Sequence, residues 1–224
     1  MERFNSKRSY GLFGHLVSLS NVSLQAYLLY RLWPYSIGIP LQVFSFLAAY
    51  VLTDFINGLV HMYMDNNDRY DSIAGPLIAN FHMHHKVPRY KRSNLLIVYF
   101  RETGSKVWLV GYLLAVSFLP EAGLHPVVLY ILVYIGVLSS VAEVSHYLCH
   151  SSPARASILL GNIGVLLSKR RHAKHHLEDN TGYAFLNGLT DPPLNLIAVR
   201  FFKGYKQTTD LHYLRYGAVD HQER

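Results

Sequence analysis

The sequence predicts an all-α integral membrane protein, a bundle of about four spanning helices in two hairpins with a cytoplasmic histidine-rich cap that binds metal. Three observations predict it. Half of the 224 residues are hydrophobic and the mean hydropathy is +0.13, too apolar for an ordinary soluble domain of this length. Lys and Arg are unevenly divided among the segments that join the apolar runs. Thirteen histidines stand against fourteen acidic residues, and most of them gather in spaced clusters.

The elements follow in chain order. The N-terminus, "MERFNSKRSYGLFGHLVSLSNVS", places basic residues before a weakly apolar stretch, but Asn5, His15 and Asn21 interrupt it and no small-residue cleavage site is clear. It reads as the start of the mature protein, with Tyr10 to Trp33 as a first span. "PYSIGIP" then supplies prolines and glycine for a tight hairpin. Leu41 to Asp65 is the clearest span; as a helix of 25 residues it would be about 37 Å long, enough to cross a ~30 Å hydrocarbon core. Its polar residues Asp54, His61 and Asp65 gather in the C-terminal half.

A polar, basic region runs to Lys106, followed by Val107 to Leu119, a break at "PEAGLHP", and a long apolar run to His150. These two runs read as a second hairpin, although the first is short for a span unless it borrows from its flanks. Ala156 to Ser168 is too short to cross and is expected at the interface or against the bundle. From Lys169 onward the chain is polar and basic, with one apolar patch at Leu194 to Phe202. No linker, low-complexity tract or repeat divides the chain, so residues 1–224 read as a single membrane-embedded domain.

A formal charge of +7 suits nucleic acid or an anionic membrane surface equally well, so position along the chain decides. Arg69, Lys86, Arg89, Lys91, Arg92, Arg101 and Lys106 fall between the hairpins, and Arg3, Lys7, Arg8 and the basic C-terminal third share their side if there are four spans. "PYSIGIP" and "PEAGLHP" carry no Lys or Arg. The positive-inside rule therefore places both termini and the central region in the cytoplasm, and the charge needs no nucleic acid partner. Cys149 is the single cysteine, which excludes an intrachain disulfide.

Four clusters carry the chemistry: His61 with Asp65, "HMHH" at His82, His84 and His85, His146 with His150, and His172 with His175 and His176. Pairs at i, i+3 or i, i+4 share one helix face and can converge on one ion. Two clusters end spanning helices and two lie in the basic segments, so all meet at one membrane boundary. Imidazole-rich ligation suits Fe, Zn, Cu or Ni, and the ligand count exceeds what one ion uses, which points to two. His15, His125, His212 and His221 read as ordinary polar residues. The zinc-protease pattern H-E-x-x-H is absent: in "HYLCH", Tyr147 stands where the glutamate would be.

"DFINGLVHMYMDN", "FHMHHKVP", "SHYLCH" and "RRHAKHH", followed by "GYAFLNGLTDPPL", resemble in order and spacing the Kua-type lipid desaturases, the plasmanylethanolamine desaturase-like histidine-rich membrane enzymes. The resemblance covers roughly Thr53 to Leu194. It implies a non-haem diiron centre held by His61, Asp65, His84, His85, His146, His150, His172, His175 and His176, with O2 as co-substrate. It further implies a membrane-lipid substrate whose alkyl or acyl chain is desaturated, and an external electron donor such as cytochrome b5 or ferredoxin. Phe100, Glu102 and Thr103 in "YFRETG" also match a family stretch. Met62, His82, Leu148 and Cys149 depart from the family's usual residues.

Carboxylates normally orient metal-bound imidazoles through the second ring N–H, which makes Asp54 and Glu143, on the helical faces of His61 and His146, candidates for that task. Asn187, Asp191 and His82 are further candidates. Two other readings compete. The same ligands serve a hydroxylase, and a non-catalytic metal transporter or sensor would also be histidine-rich. A transporter should place polar groups at mid-bilayer, where the spans carry mainly Asp54.

Overall fold

A computed structural model describes residues 8–204 except 71, 73, 87–92, 121 and 122. Arg3, Lys7, Arg89, Lys91, Arg92, His212 and His221 lie outside the described residues. Among the described residues the chain is all-helical: α1 (Arg8–Leu32), α2 (Gly38–Asp65), α3 (Gly75–Lys86), α4 (Leu95–Thr103), α5 (Val107–Ser117), α6 (Pro126–Ser151), α7 (Arg155–Asn162), α8 (Lys169–Leu177) and α9 (Asp191–Phe201). Of these, α2 and α6 are long and apolar enough to cross a membrane, and α5 is a shorter apolar helix.

Local chemistry sets the boundaries. Gly38, the first residue of α2, takes φ 74°, which lets the chain reverse after α1. α6 opens with Pro126 in its first turn, and His125 caps it by accepting the Val127 N–H, so His125 has a structural use. The central basic region contains two helices that hydropathy did not reveal. In α4, Asn94 accepts the Leu96 N–H at 2.9 Å and caps a helix whose Val98 and Thr103 are buried.

α6 is the centre of the bundle. Its most extensive contacts are with α2, and it also packs on α4, α5 and α1. The first hairpin is therefore open: α1 makes its main contacts with α5, α4 and α6 instead of α2. Leu28 and Leu32 of α1 meet Leu109, Leu113 and Val116 of α5 and Leu129 and Val133 of α6 in one core cluster. A Cβ on Gly136 would lie 2.4 Å from Leu113, so glycine is what allows α5 to approach α6 this closely. Polar side chains add stitches: Gln25 donates to the Gly136 carbonyl at 3.1 Å and to Ser140 Oγ at 2.9 Å, and Asn21 donates to the Lys106 carbonyl at 3.1 Å.

One anchor fixes the segment that follows α8. Asp54, fully buried in α2, accepts the N–H groups of Leu186, Asn187 and Gly188 on Oδ1, and the main-chain N–H and the hydroxyl O–H of Thr190 on Oδ2. The carboxylate replaces the partners that a 186–190 backbone without regular structure would otherwise lack. Asp54→Ala should leave several buried donors unsatisfied and destabilise the protein by about 3 kcal/mol or more. Thermal unfolding in detergent checks this, and an unchanged midpoint would show that the loop does not depend on Asp54.

Candidate metal centre

Four helices deliver the ligand atoms. His61 and Asp65 occupy the last turns of α2, His84 and His85 the end of α3, His146 and His150 the end of α6, and His172, His175 and His176 lie on α8. Residues four apart stay together, while neighbours diverge by about 100° around a helix of 3.6 residues per turn. The two His-His pairs are accordingly split. His84, His146, His150, His172 and His176 form one group; His61, Asp65, His85 and His175 form the other. Within each group the ligand atoms lie within 4.8 Å of one another. The groups adjoin, with the rings of His85 and His176 4.6 Å apart.

The five-histidine group fits a cation better than it fits hydrogen bonds. His172 Nε2 lies 2.9 Å from His146 Nε2, 2.8 Å from His150 Nε2 and 2.9 Å from His176 Nε2. His84 Nε2 is 3.0 Å from His150 Nε2. A neutral imidazole nitrogen carries one proton or one lone pair, so one nitrogen cannot satisfy three such neighbours, whereas a metal among them uses every lone pair. Burial, followed by His150 and His176, pushes His84 down to about 2. Burial likewise lowers His172, and lowers His85 against the pull of Asp65. The imidazoles stay in the neutral form that ligation requires.

In the second group His61 Nε2 and His175 Nε2 each lie 3.3 Å from Asp65 Oδ2, and His85 Nε2 lies 3.1 Å from Asp65 Oδ1. The tautomers are fixed from behind. His61 Nδ1 donates to the Tyr183 carbonyl at 3.0 Å and His175 Nδ1 to the Thr181 carbonyl at 2.7 Å. A carbonyl only accepts, so both Nδ1 atoms carry the proton and both Nε2 lone pairs face the group.

That orienting task was expected of Asp54 and Glu143, and the structure gives them other partners. Asp54 lies two turns before His61, about 10 Å along the helix axis, and holds the 186–190 loop. Glu143 pairs with Lys106 Nζ at 3.0 Å. His82 falls outside both ligand groups: its Nε2 donates to the Asp65 carbonyl at 2.8 Å, and its Nδ1 meets the Tyr70 hydroxyl, so it closes the end of α2. Asn187 Oδ1 accepts the Leu189 N–H at 2.7 Å. Asp191 accepts the Ala184 N–H at 2.8 Å, and burial raises it to about 6. His15 stacks on Phe100, 6.3 Å between centroids.

Thr181, Gly182, Tyr183 and Phe185 are site residues that patterning missed, because two of them act through backbone carbonyls. Gly182 was the available signal: its φ is +71°, and a Cβ there would lie 2.9 Å from His175 Cβ. Phe185 covers the centre, with its ring 4.2 Å from His146 and 5.1 Å from His61.

Long apolar helices whose ends gather metal-ligating side chains define a metal-binding membrane protein. A family model described as the lipid desaturase domain matches residues 50–209, and the chain belongs to that family. No curated protein and no solved structure matches the chain.

Gly182→Val should strain the 181–183 segment and push it from His175, weakening metal binding about 10- to 100-fold, as loss of an orienting partner does. Equilibrium titration of metal-free protein with Co(II) measures this; wild-type affinity would remove the orienting role from the 181–183 carbonyls.

Proposed function

We propose that the chain is a membrane non-haem diiron oxidoreductase that desaturates an alkyl or acyl chain of a membrane lipid, using O2 and an external electron donor such as cytochrome b5 or ferredoxin. The observation that carries the proposal is the pair of adjoining ligand groups in a chain of the lipid desaturase family. Iron bound by both groups would supply the reductive activation of dioxygen that removal of hydrogen from an unactivated carbon requires. The ligands assigned are His84, His146, His150, His172 and His176 for one iron and His61, Asp65, His85 and His175 for the other.

The chain's own residues do the rest. The 181–183 carbonyls orient two imidazoles, and Phe185 excludes water from His61 and His146. A cleft reaching His61 is lined by Val60, Met64, Phe81, Trp108 and Phe185, apolar side chains suited to an alkyl segment, and also by the polar Asn57, Ser105, Lys106 and Glu143. No side chain acts as a nucleophile; position and exclusion of water are the protein's contribution.

We assign α1, α2, α5 and α6 as the four spans, with both termini and the metal centre cytoplasmic. Outward apolar side chains support this: Leu12, Leu16 and Leu19 of α1 and Val43, Phe44 and Leu47 of α2 are each at least half exposed. A buried core helix of a soluble domain would hide them. The uneven Lys/Arg distribution supports the orientation.

Lipid mass spectrometry of cells expressing wild type or His176→Ala tests the reaction. A product two hydrogens lighter should appear with wild type alone, at equal protein levels in the membrane. A product one oxygen heavier, or identical lipidomes in aerobic, iron-replete cells with a competent donor, would refute desaturation. Topology is tested by cysteine labelling in a Cys149→Ser background. A probe in "PYSIGIP" should react from outside and one near Arg89 should not; the reverse would invert the assignment.

A further inference from the structure

Each double bond formed by the proposed reaction uses one dioxygen, two electrons and two protons, which with two hydrogens from the lipid give two waters. The electrons come from the donor, whereas the protons must enter a centre whose His61, His146, His172 and His175 are buried. One charged cluster lies beside that centre and belongs to neither ligand group. Lys106 Nζ is 3.0 Å from Glu143 Oε1 and also donates to Asn57 Oδ1, with Lys106 only 5% and Glu143 6% exposed. Asn57 stands one turn before His61 on α2, and Asn57, His61, Lys106 and Glu143 line the same cleft.

The outer end of the cluster is Glu102. It sits on α4, which packs on α6, it is partly exposed, and its carboxylate is close enough to Glu143 for the two to repel. Burial of an ion pair is a weak source of stability, because desolvation offsets the attraction. A buried pair that lies between a partly exposed acid and the metal-side cleft therefore points to use in the reaction.

We propose that Glu102, Glu143 and Lys106 form the route by which protons reach the metal centre. The proposal rests on the desaturase reading. Lys106 releases a proton from its ammonium into the cleft and is left as the amine; it regains one from Glu143, which has taken it from Glu102, and water reprotonates Glu102. One proton crosses per cycle and every group returns to its starting state. Burial lowers the Lys106 ammonium, which favours release. Burial and then Glu143 raise Glu102 to about 7, against Arg101, so near neutrality it both gives and takes protons. The surrounding titratable groups are Arg101 and Lys106 on its own segment, Glu143 on α6, and His15 on α1, which stacks on Phe100.

The sign follows from Glu102. Its protonated form delivers, so the rate should fall as pH rises through about 7. The test uses iron-loaded protein in nanodiscs of total polar lipid from the expression host, with a chemical reductant and air. Glu102→Gln should load iron like wild type, lose at least about ten-fold in product formation, and lose the alkaline limb of the pH–rate profile. Infrared spectra of the wild type should show a protonated carboxyl that disappears with a midpoint near neutrality and is missing in Glu102→Gln, and Glu102→Asp should restore both the band and part of the rate. Wild-type rate and pH profile in Glu102→Gln, or survival of the band, overturns the route. Should Glu102→Gln fail to load iron, the wild-type titration decides: no carboxyl titrating between about pH 6 and 8 overturns it. Absence of product from wild type at every pH is a different failure, that of the desaturase reading, and the route falls with it.

Discussion

The C-terminal turns of α2 and α6 have to lie side by side, because His61 and Asp65 on one and His146 and His150 on the other enter adjoining ligand groups. This convergence of neutral imidazoles, with the Asp65 carboxylate among them, is the constraint on which the remaining architecture depends. Ala49 of α2 packs against Ile135 and Leu138 of α6, and this seam below the centre aligns the two helices. Asp54 then ties the 186–190 loop to α2, and Ser145 ties it to α6 by donating to the Leu186 carbonyl at 2.6 Å. The loop carries Phe185 across the metal side of both helices.

Much of this was legible in the residues. The long apolar runs gave α2 and α6 to within a few positions, since a helix that faces lipid or core over its whole length needs no finer pattern. The nine candidate ligands were visible as eight spaced histidines and Asp65, and the structure brings all nine into two groups. The split of His84 from His85 and of His175 from His176 depends on helix phase and on how α3 and α8 approach, which spacing along one chain does not contain. α3 and α4 were missed because each is too short to span and lies in a region rich in Lys, Arg and His, so even the apolar run Leu95 to Phe100 of α4 was absorbed into the polar segment.

The buried carboxylates show why role is harder to read than position. Asp54 and Glu143 stand on the expected helices and are buried, yet one serves a loop backbone and the other a lysine. Periodicity reports the face of a helix, not the element that covers it. The 181–183 carbonyls that orient His61 and His175 leave even less trace, because any residue supplies a carbonyl; only the positive φ of Gly182 marks the place.

The central claim is that the nine side chains hold two irons as a pair. Elemental analysis combined with Mössbauer spectroscopy of iron-reconstituted, detergent-purified protein tests it most directly. The account predicts about two irons per chain, one for each group, magnetically coupled and lost together in His146→Ala or His150→Ala. A single tightly bound zinc that persists after iron reconstitution and survives both substitutions would contradict it.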